Sequence, residues 1–149
     1  MHMKKLYLIL CVGILLLLAG CTNTTIDTVA MEETLVNQLT YSDQLYKVSD
    51  EFVENYIDLE PEVTAVMYMG SGITADQLAI FTCPDPATAQ LQEEHVRFFV
   101  EEQRASFAKY IPVEAKRLED GLVIRKGRYV FLSISETPDV AKSIINEAF

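Results

Sequence analysis

The chain has 149 residues, half of them apolar, and this length is typical of one domain rather than two. Its 22 acidic residues outnumber the 12 basic ones and give a net charge of −10. The negative charge argues against general nucleic-acid binding, and the apolar content excludes a wholly disordered chain.

Residues 1–20 have the organisation of an export signal. Lys4 and Lys5 precede an apolar run over residues 6–18, which as a helix would rise about 20 Å, short of the roughly 30 Å hydrocarbon core. The run ends in Leu18-Ala19-Gly20-Cys21, which resembles the lipobox of bacterial lipoproteins at all four positions. The resemblance implies cleavage after Gly20 and a diacylglycerol on Cys21, where two acyl chains give stable anchoring. The alternative is an ordinary secretory signal or an uncleaved anchor, with a chance cysteine.

The remainder is predicted to be a polar tether over residues 21–30 and a single α+β domain over residues 31–149. Met31, Leu35 and Leu39 recur at the spacing of one helical face and predict a short helix. Ser49 has the features of an N-cap for a second short helix, which Pro61 would end.

From residue 63 onward the pattern is strand, strand, helix, and it then occurs a second time. The predicted elements are strands at 63–69 and 78–83, a helix from Pro86 to about Tyr110, strands at 122–126 and 129–134, and a final helix capped by Thr137-Pro138. Both strand connections have hairpin length, with Gly70-Ser71-Gly72 in the first and Gly127 in the second. The sequence therefore predicts a four-stranded antiparallel sheet with helices on one face. Whether the two strand-strand-helix halves are a true internal repeat is left open by the sequence.

Three segments carry a resemblance to a known family: residues 68–81, the long acidic helix, and residues 118–135 with Lys126-Gly-Arg-Tyr-Val-Phe-Leu. Together they resemble uncharacterised lipoproteins, found mainly in Gram-positive, clostridia-like bacteria, that carry a domain of unknown function. The resemblance covers residues 31–149 and implies a place on the outer face of a single-membrane cell. It implies no activity, ligand or catalytic residue.

Few residues after position 20 are suited to catalysis, and the chain is predicted to be no enzyme and to hold no cofactor or metal. His95 is the one histidine there, and the alternation of Asp58, Glu60 and Glu62 is interrupted by Pro61, so neither a zinc nor a calcium site is expected. Cys83 with His95 could form a thiol nucleophile and base, and Glu93-Glu94 with Glu101-Glu102 are paired acids on one helix. An envelope hydrolase that uses either set is an unfavoured alternative. The favoured interpretation is that Cys83 is a half-buried apolar position and that His95 and the paired acids face solvent.

Charge is distributed unevenly along the chain. Residues 21–95 carry a net charge of −13, whereas residues 96–149 carry +1. We call Arg125, Lys126 and Arg128, at the second hairpin, the basic hairpin. It is a candidate surface for an envelope protein, a wall polymer or anionic lipid. Alternatively, its bases pair with the acidic half or protect an edge strand.

The sequence thus predicts a membrane-anchored, extracytoplasmic lipoprotein with a non-enzymatic binding role in the cell envelope. The first alternative is a small-ligand carrier. It would need a pocket between helix and sheet, lined by Tyr68, Phe81, Phe99 or Tyr129.

Overall fold

A computed structural model describes residues 24–149; the predicted export signal and Cys21 lie outside the described residues. This part of the chain forms five helices and a five-stranded antiparallel sheet. The helices are α1 (Thr28–Gln38), α2 (Asp50–Tyr56), α3 (Pro86–Tyr110), α4 (Pro112–Glu119) and α5 (Pro138–Glu147). The strands are β1 (Tyr46–Lys47), β2 (Thr64–Met69), β3 (Gln77–Thr82), β4 (Leu122–Lys126) and β5 (Tyr129–Ile134). Within residues 24–149, no helix is both long and apolar enough to cross a bilayer.

Local capping sets where three of the helices begin. Side chains of Asp27, Ser49 and Asp85 accept hydrogen bonds from the first-turn N–H groups of α1, α2 and α3, which have no partner inside the helix. Helix α1 therefore begins at Thr28, inside the stretch expected to be tether. Thr137 precedes α5 as predicted, but its hydroxyl accepts from the Thr40 N–H instead of capping the helix.

The strands follow the order β1-β2-β3-β5-β4, and every neighbouring pair is antiparallel. The two predicted hairpins are present, and the second turns through Gly127, whose φ of +54° is strained for residues with a side chain. Strand β1 adds a fifth strand that the sequence analysis missed. It has only two residues, too few for an alternating pattern to be visible.

The prediction that the helices lie on one face of the sheet is wrong. One apolar core, the first core, packs α2, α3 and α4 against one face through residues such as Met67, Phe81 and Leu132. The second core packs α1 and α5 against the opposite face through residues such as Leu78, Ile80 and Phe131. All but one of the residues in the central strands β3 and β5 are consequently buried. Their nearly continuous apolar sequence is typical of strands covered on both sides.

A second difference lies after the long helix. It ends at Tyr110 as predicted, but Pro112 begins a further helix, α4, at a first-turn position where proline costs no hydrogen bond. Gly121 then joins α4 to β4, where an added Cβ would displace the buried Ile134 side chain. Helix α4 packs directly on α3.

Candidate functional site

A cavity of about 390 Å³ opens at the end of the sheet where β2 ends and β3 begins. We call it the end cavity. Its apolar walls are Met69, Ala75, Phe107, Tyr110 and Ile111, and its polar lining includes Thr74, Asp76, Gln103 and Ser106. The loop over residues 70–76 thus faces the C-terminal third of α3 across the cavity, and the volume lies in the range of small-molecule sites.

The 70–76 loop is bonded to Asp43, in the segment after α1. Asp43 accepts two hydrogen bonds from Ser71, one from its N–H and one from its hydroxyl. These bonds lower the pKa of the Asp43 carboxyl. A Cβ at Gly70 would lie 2.9 Å from Thr74 Oγ1 and 3.2 Å from Asp43 Oδ2, so glycine allows the close approach. The Gly70-Ser71-Gly72 segment is therefore both a hairpin connection and one wall of the end cavity.

Behind this wall lies a buried ion cluster, by which we mean Asp76, Glu114 and Arg117. Arg117 donates to Asp76 Oδ1 over 2.5 Å and to Glu114 Oε2 over 3.0 Å. Asp76 Oδ2 accepts from the N–H groups of Ser42 and Asp43 at 3.0 Å each, and Glu114 Oε2 also accepts from Ala75 N–H at 2.7 Å. Burial lowers the pKa of Arg117, but the bonds to the two carboxylates outweigh it and the net shift is upward. The cluster joins α4, the 70–76 loop and the segment after α1.

Two amides extend the polar lining toward the sheet. Gln77 Nε2 donates to Gln103 Oε1 over 2.6 Å, which ties β3 to α3 beside the cavity. Within residues 24–149, Gln77 Oε1 and Thr74 Oγ1 are buried without a hydrogen-bond partner. Unsatisfied buried oxygens are costly, and here both belong to the neighbourhood of the end cavity.

The predicted pocket residues do not line the end cavity. Phe81, Phe99 and Tyr129 are buried in the two cores, and Tyr68 donates a hydrogen bond to Glu32, which raises the Tyr68 pKa to about 12. The pocket expected between helix and sheet is filled by side chains at those positions. The end cavity lies instead beyond the ends of the strands.

The basic hairpin is only partly free. Arg125 Nε lies 3.0 Å from Glu93 Oε2 on α3, and Glu93 also binds Arg97 at 2.7 Å. Burial raises the pKa of Glu93, but these two arginines outweigh it and lower the pKa overall. Arg128 lies over the Tyr129 ring and donates to its hydroxyl over 3.3 Å. Within residues 24–149, neither Lys126 nor Arg128 is among the bases that lie within 4 Å of a carboxylate.

The residues considered for catalysis are engaged in the fold. Cys83 is buried, and burial together with the nearby Asp85 carboxylate raises its pKa to about 11, so the thiol stays protonated at neutral pH. His95 Nε2 lies 3.0 Å from Glu60 Oε1. Of the paired acids, Glu93 and Glu101 each bind an arginine. No group of acidic, histidine and cysteine side chains suited to a metal ion occurs among residues 24–149.

The sequence predicts a hairpin connection at residues 70–72 but carries no signal for the buried ion cluster or the end cavity. Asp76 and Arg117 are 41 positions apart, and neither belongs to a motif. Only the additional helix α4, itself unpredicted, brings Arg117 and Glu114 to the loop. The cluster therefore exists only in the tertiary structure and has no counterpart in the local sequence pattern.

The chain matches the family Domain of unknown function (DUF4358) over residues 37–135 and belongs to that family. The matched range includes the whole sheet, the end cavity and the buried ion cluster. No curated protein and no solved structure shows a significant match. The predicted resemblance to a domain of unknown function is thereby confirmed.

Proposed function

We propose that this protein is an extracytoplasmic lipoprotein, anchored to the cell membrane through Cys21, and that it acts in the envelope by binding rather than by catalysis. The proposed membrane location is supported by the Leu18-Ala19-Gly20-Cys21 motif, which follows an apolar run. The observation that carries the binding role is the end cavity, a concave site with apolar walls and polar groups placed within them.

Anchoring is tested by metabolic labelling with an alkyne analogue of palmitate. The Cys21→Ser variant is expected to lose the label, because the thiol that would accept the lipid is removed, and to accumulate as an uncleaved precursor or a released soluble form. Cys11→Ser is the matched control, since Cys11 lies inside the predicted signal and should leave labelling intact. Retention of the label by Cys21→Ser would show that the lipoprotein assignment is wrong.

The binding role is tested by placing a photo-reactive residue in the acylated protein in its native membrane. At Ser106, on the wall of the end cavity, irradiation is expected to give a discrete adduct. At Ser143, an exposed position on α5, it should give none. Equal adducts at both positions, or none at either, would contradict binding at the cavity.

A second candidate is binding of an envelope protein or wall polymer at the basic hairpin. The observation that favours it is the position of Lys126 and Arg128 at the hairpin tip without a carboxylate partner in the described part of the chain. A photo-reactive residue at Lys126 in the same experiment separates the two candidates. An adduct there, and not at Ser106, would favour the hairpin.

A further inference from the structure

We propose that the end cavity binds an uncharged, partly apolar small molecule. The inference rests on the proposed binding role and adds the chemical class of the ligand. Three observations support this ligand class: the lining has no unpaired charge, its walls combine apolar and neutral polar groups, and hydrogen bonds and ion pairs hold the 70–76 loop in place.

The lining of the end cavity contains one charged side chain, and that side chain is already paired. Asp76 is the one carboxylate in the lining, and its residue is 1 % exposed. Arg117 occupies one of its oxygens and two backbone N–H groups occupy the other. A cationic ligand would therefore find no open carboxylate, and an anionic ligand would find no basic side chain in the lining. Because burying an unpaired charge is costly, the lining favours a neutral ligand.

Shape and polarity are the second step. Phe107 and Tyr110 lie on the α3 side, and Met69 and Ile111 contribute further apolar surface. Tyr110 is 82 % exposed, so its ring has a large area that a ligand could cover. Neutral hydrogen-bonding groups are supplied by the Ser106 hydroxyl and by Nε2 of Gln103, since Gln103 Oε1 already accepts from Gln77. A molecule with a flat apolar face and a hydroxyl or amide group matches both features.

The third step is the rigidity of the walls. A buried ion cluster is weak evidence for stability, because apolar packing often stabilises a fold equally well. This cluster fixes the 70–76 loop to α4, since Glu114 accepts from Ala75 N–H and Arg117 binds Asp76. The bond from Gln77 to Gln103 ties the sheet to the α3 wall. Such support holds a binding site in one geometry before the ligand arrives.

The test compares three probes that share a benzyl or phenyl ring and differ in charge: benzyl alcohol, benzoate and benzylammonium. Binding is measured by saturation-transfer NMR on the full acylated protein in lipid nanodiscs, with empty nanodiscs as the blank for lipid partitioning. Ser106→Trp fills the cavity from an exposed helix position, and Ser143→Trp places the same residue on α5, away from it. Circular dichroism verifies that both variants are folded.

Benzyl alcohol is expected to bind the natural protein and Ser143→Trp and to lose its signal with Ser106→Trp. The two charged probes should bind at least about tenfold more weakly. Equal or stronger binding of a charged probe, or a benzyl alcohol signal that Ser106→Trp leaves unchanged, would overturn the proposal. If the Ser106 adduct forms in membranes while benzyl alcohol does not bind, the ligand class fails and the proposed binding role stands.

Discussion

Arg117 illustrates how one side chain can connect segments that are distant in sequence. Its guanidinium bridges Asp76, which precedes β3, and Glu114 in the first turn of α4. The planar group has donors enough to bind two carboxylates at once. Removing it would leave the fully buried Asp76 carboxylate with only its two backbone donors.

We therefore expect Arg117→Ala to lower the free energy of unfolding by about 3 kcal/mol, as for a buried pair that loses one partner. Arg104→Ala is the matched control, because Arg104 pairs with Glu101 on the exposed surface of α3. It should cost less than about 1 kcal/mol. Urea unfolding measures both. Equal losses would contradict the structural importance of the buried ion cluster.

Cys83 makes stability depend on pH in the alkaline range. Burial holds its folded pKa at about 11, above the ordinary value of 9.0, so the unfolded chain loses this proton first. Stability is then fully present below about pH 9 and falls as the pH rises toward 11. The free energy of unfolding of the natural protein, measured by urea unfolding between pH 9 and pH 11, should therefore fall more steeply with pH than that of Cys83→Ala.

The tyrosines provide the internal reference for that comparison. The bond to Glu32 raises the pKa of Tyr68 to about 12. Tyr68 therefore lowers the free energy of unfolding of both proteins by the same amount as the pH rises. A Cys83→Ala variant whose alkaline slope equals that of the natural protein would show that the thiol is not shielded.

At the scale of elements, an ion pair and a hydrogen bond join the second hairpin to α3. Arg125 and Arg97 share Glu93, and Arg97 also donates to the Val123 carbonyl of β4 over 2.8 Å. The acidic partner of the basic hairpin is thus on the long helix. Only Arg125 of the three bases is used in this way among the described residues.

Replacing Arg125 and Lys126 separately should therefore have different effects. Arg125→Ser is expected to lower the free energy of unfolding by less than about 1 kcal/mol, and Lys126→Ser to leave it unchanged. A double-mutant cycle with Glu93→Gln isolates the Arg125 pair. A loss for Lys126→Ser as large as that for Arg125→Ser would disprove the assignment of the pair.

The sequence predicted elements better than their arrangement. The Ser49 cap, the proline positions and residue periodicity located both hairpins and four of the five helices in residues 24–149. Periodicity does not say which face of a sheet a helix covers, and the two-residue β1 has no period at all. The end cavity was beyond prediction because its two sides come together only through tertiary packing.

At the scale of the whole molecule, the folded domain extends beyond both ends of the family match. The match covers residues 37–135, whereas most of α1 and all of α5 lie outside it. These two helices cover the second core, where Leu35 and Ile145 are fully buried against the sheet. The matched segment alone would expose apolar side chains of β3 and β5.

A fragment of residues 37–135 is therefore expected to aggregate, because a large apolar face of its sheet has no cover. Within the full chain, Leu35→Ala should cost about 3 kcal/mol of unfolding free energy. Val29→Ala, at an exposed position of the same helix, should cost far less. Light scattering and urea unfolding measure these outcomes, and a monomeric, cooperatively folding fragment would contradict the role of α1 and α5.

Helix α1 also determines which end of the domain stands nearer to an anchor on Cys21. Just before α1, the Ile26 N–H contacts the Tyr129 hydroxyl beside the hairpin tip; just after it, Ser42 contacts Asp76 at the end cavity. The 11-residue helix rises about 16 Å. Ile26 is five positions after Cys21, a distance of at most about 18 Å along the chain. An acylated Cys21 would thus keep the hairpin tip close to the lipid headgroups. The cavity lies at the opposite end of the β3–β5 ladder from Tyr129, so such an anchor would hold it away from the bilayer surface.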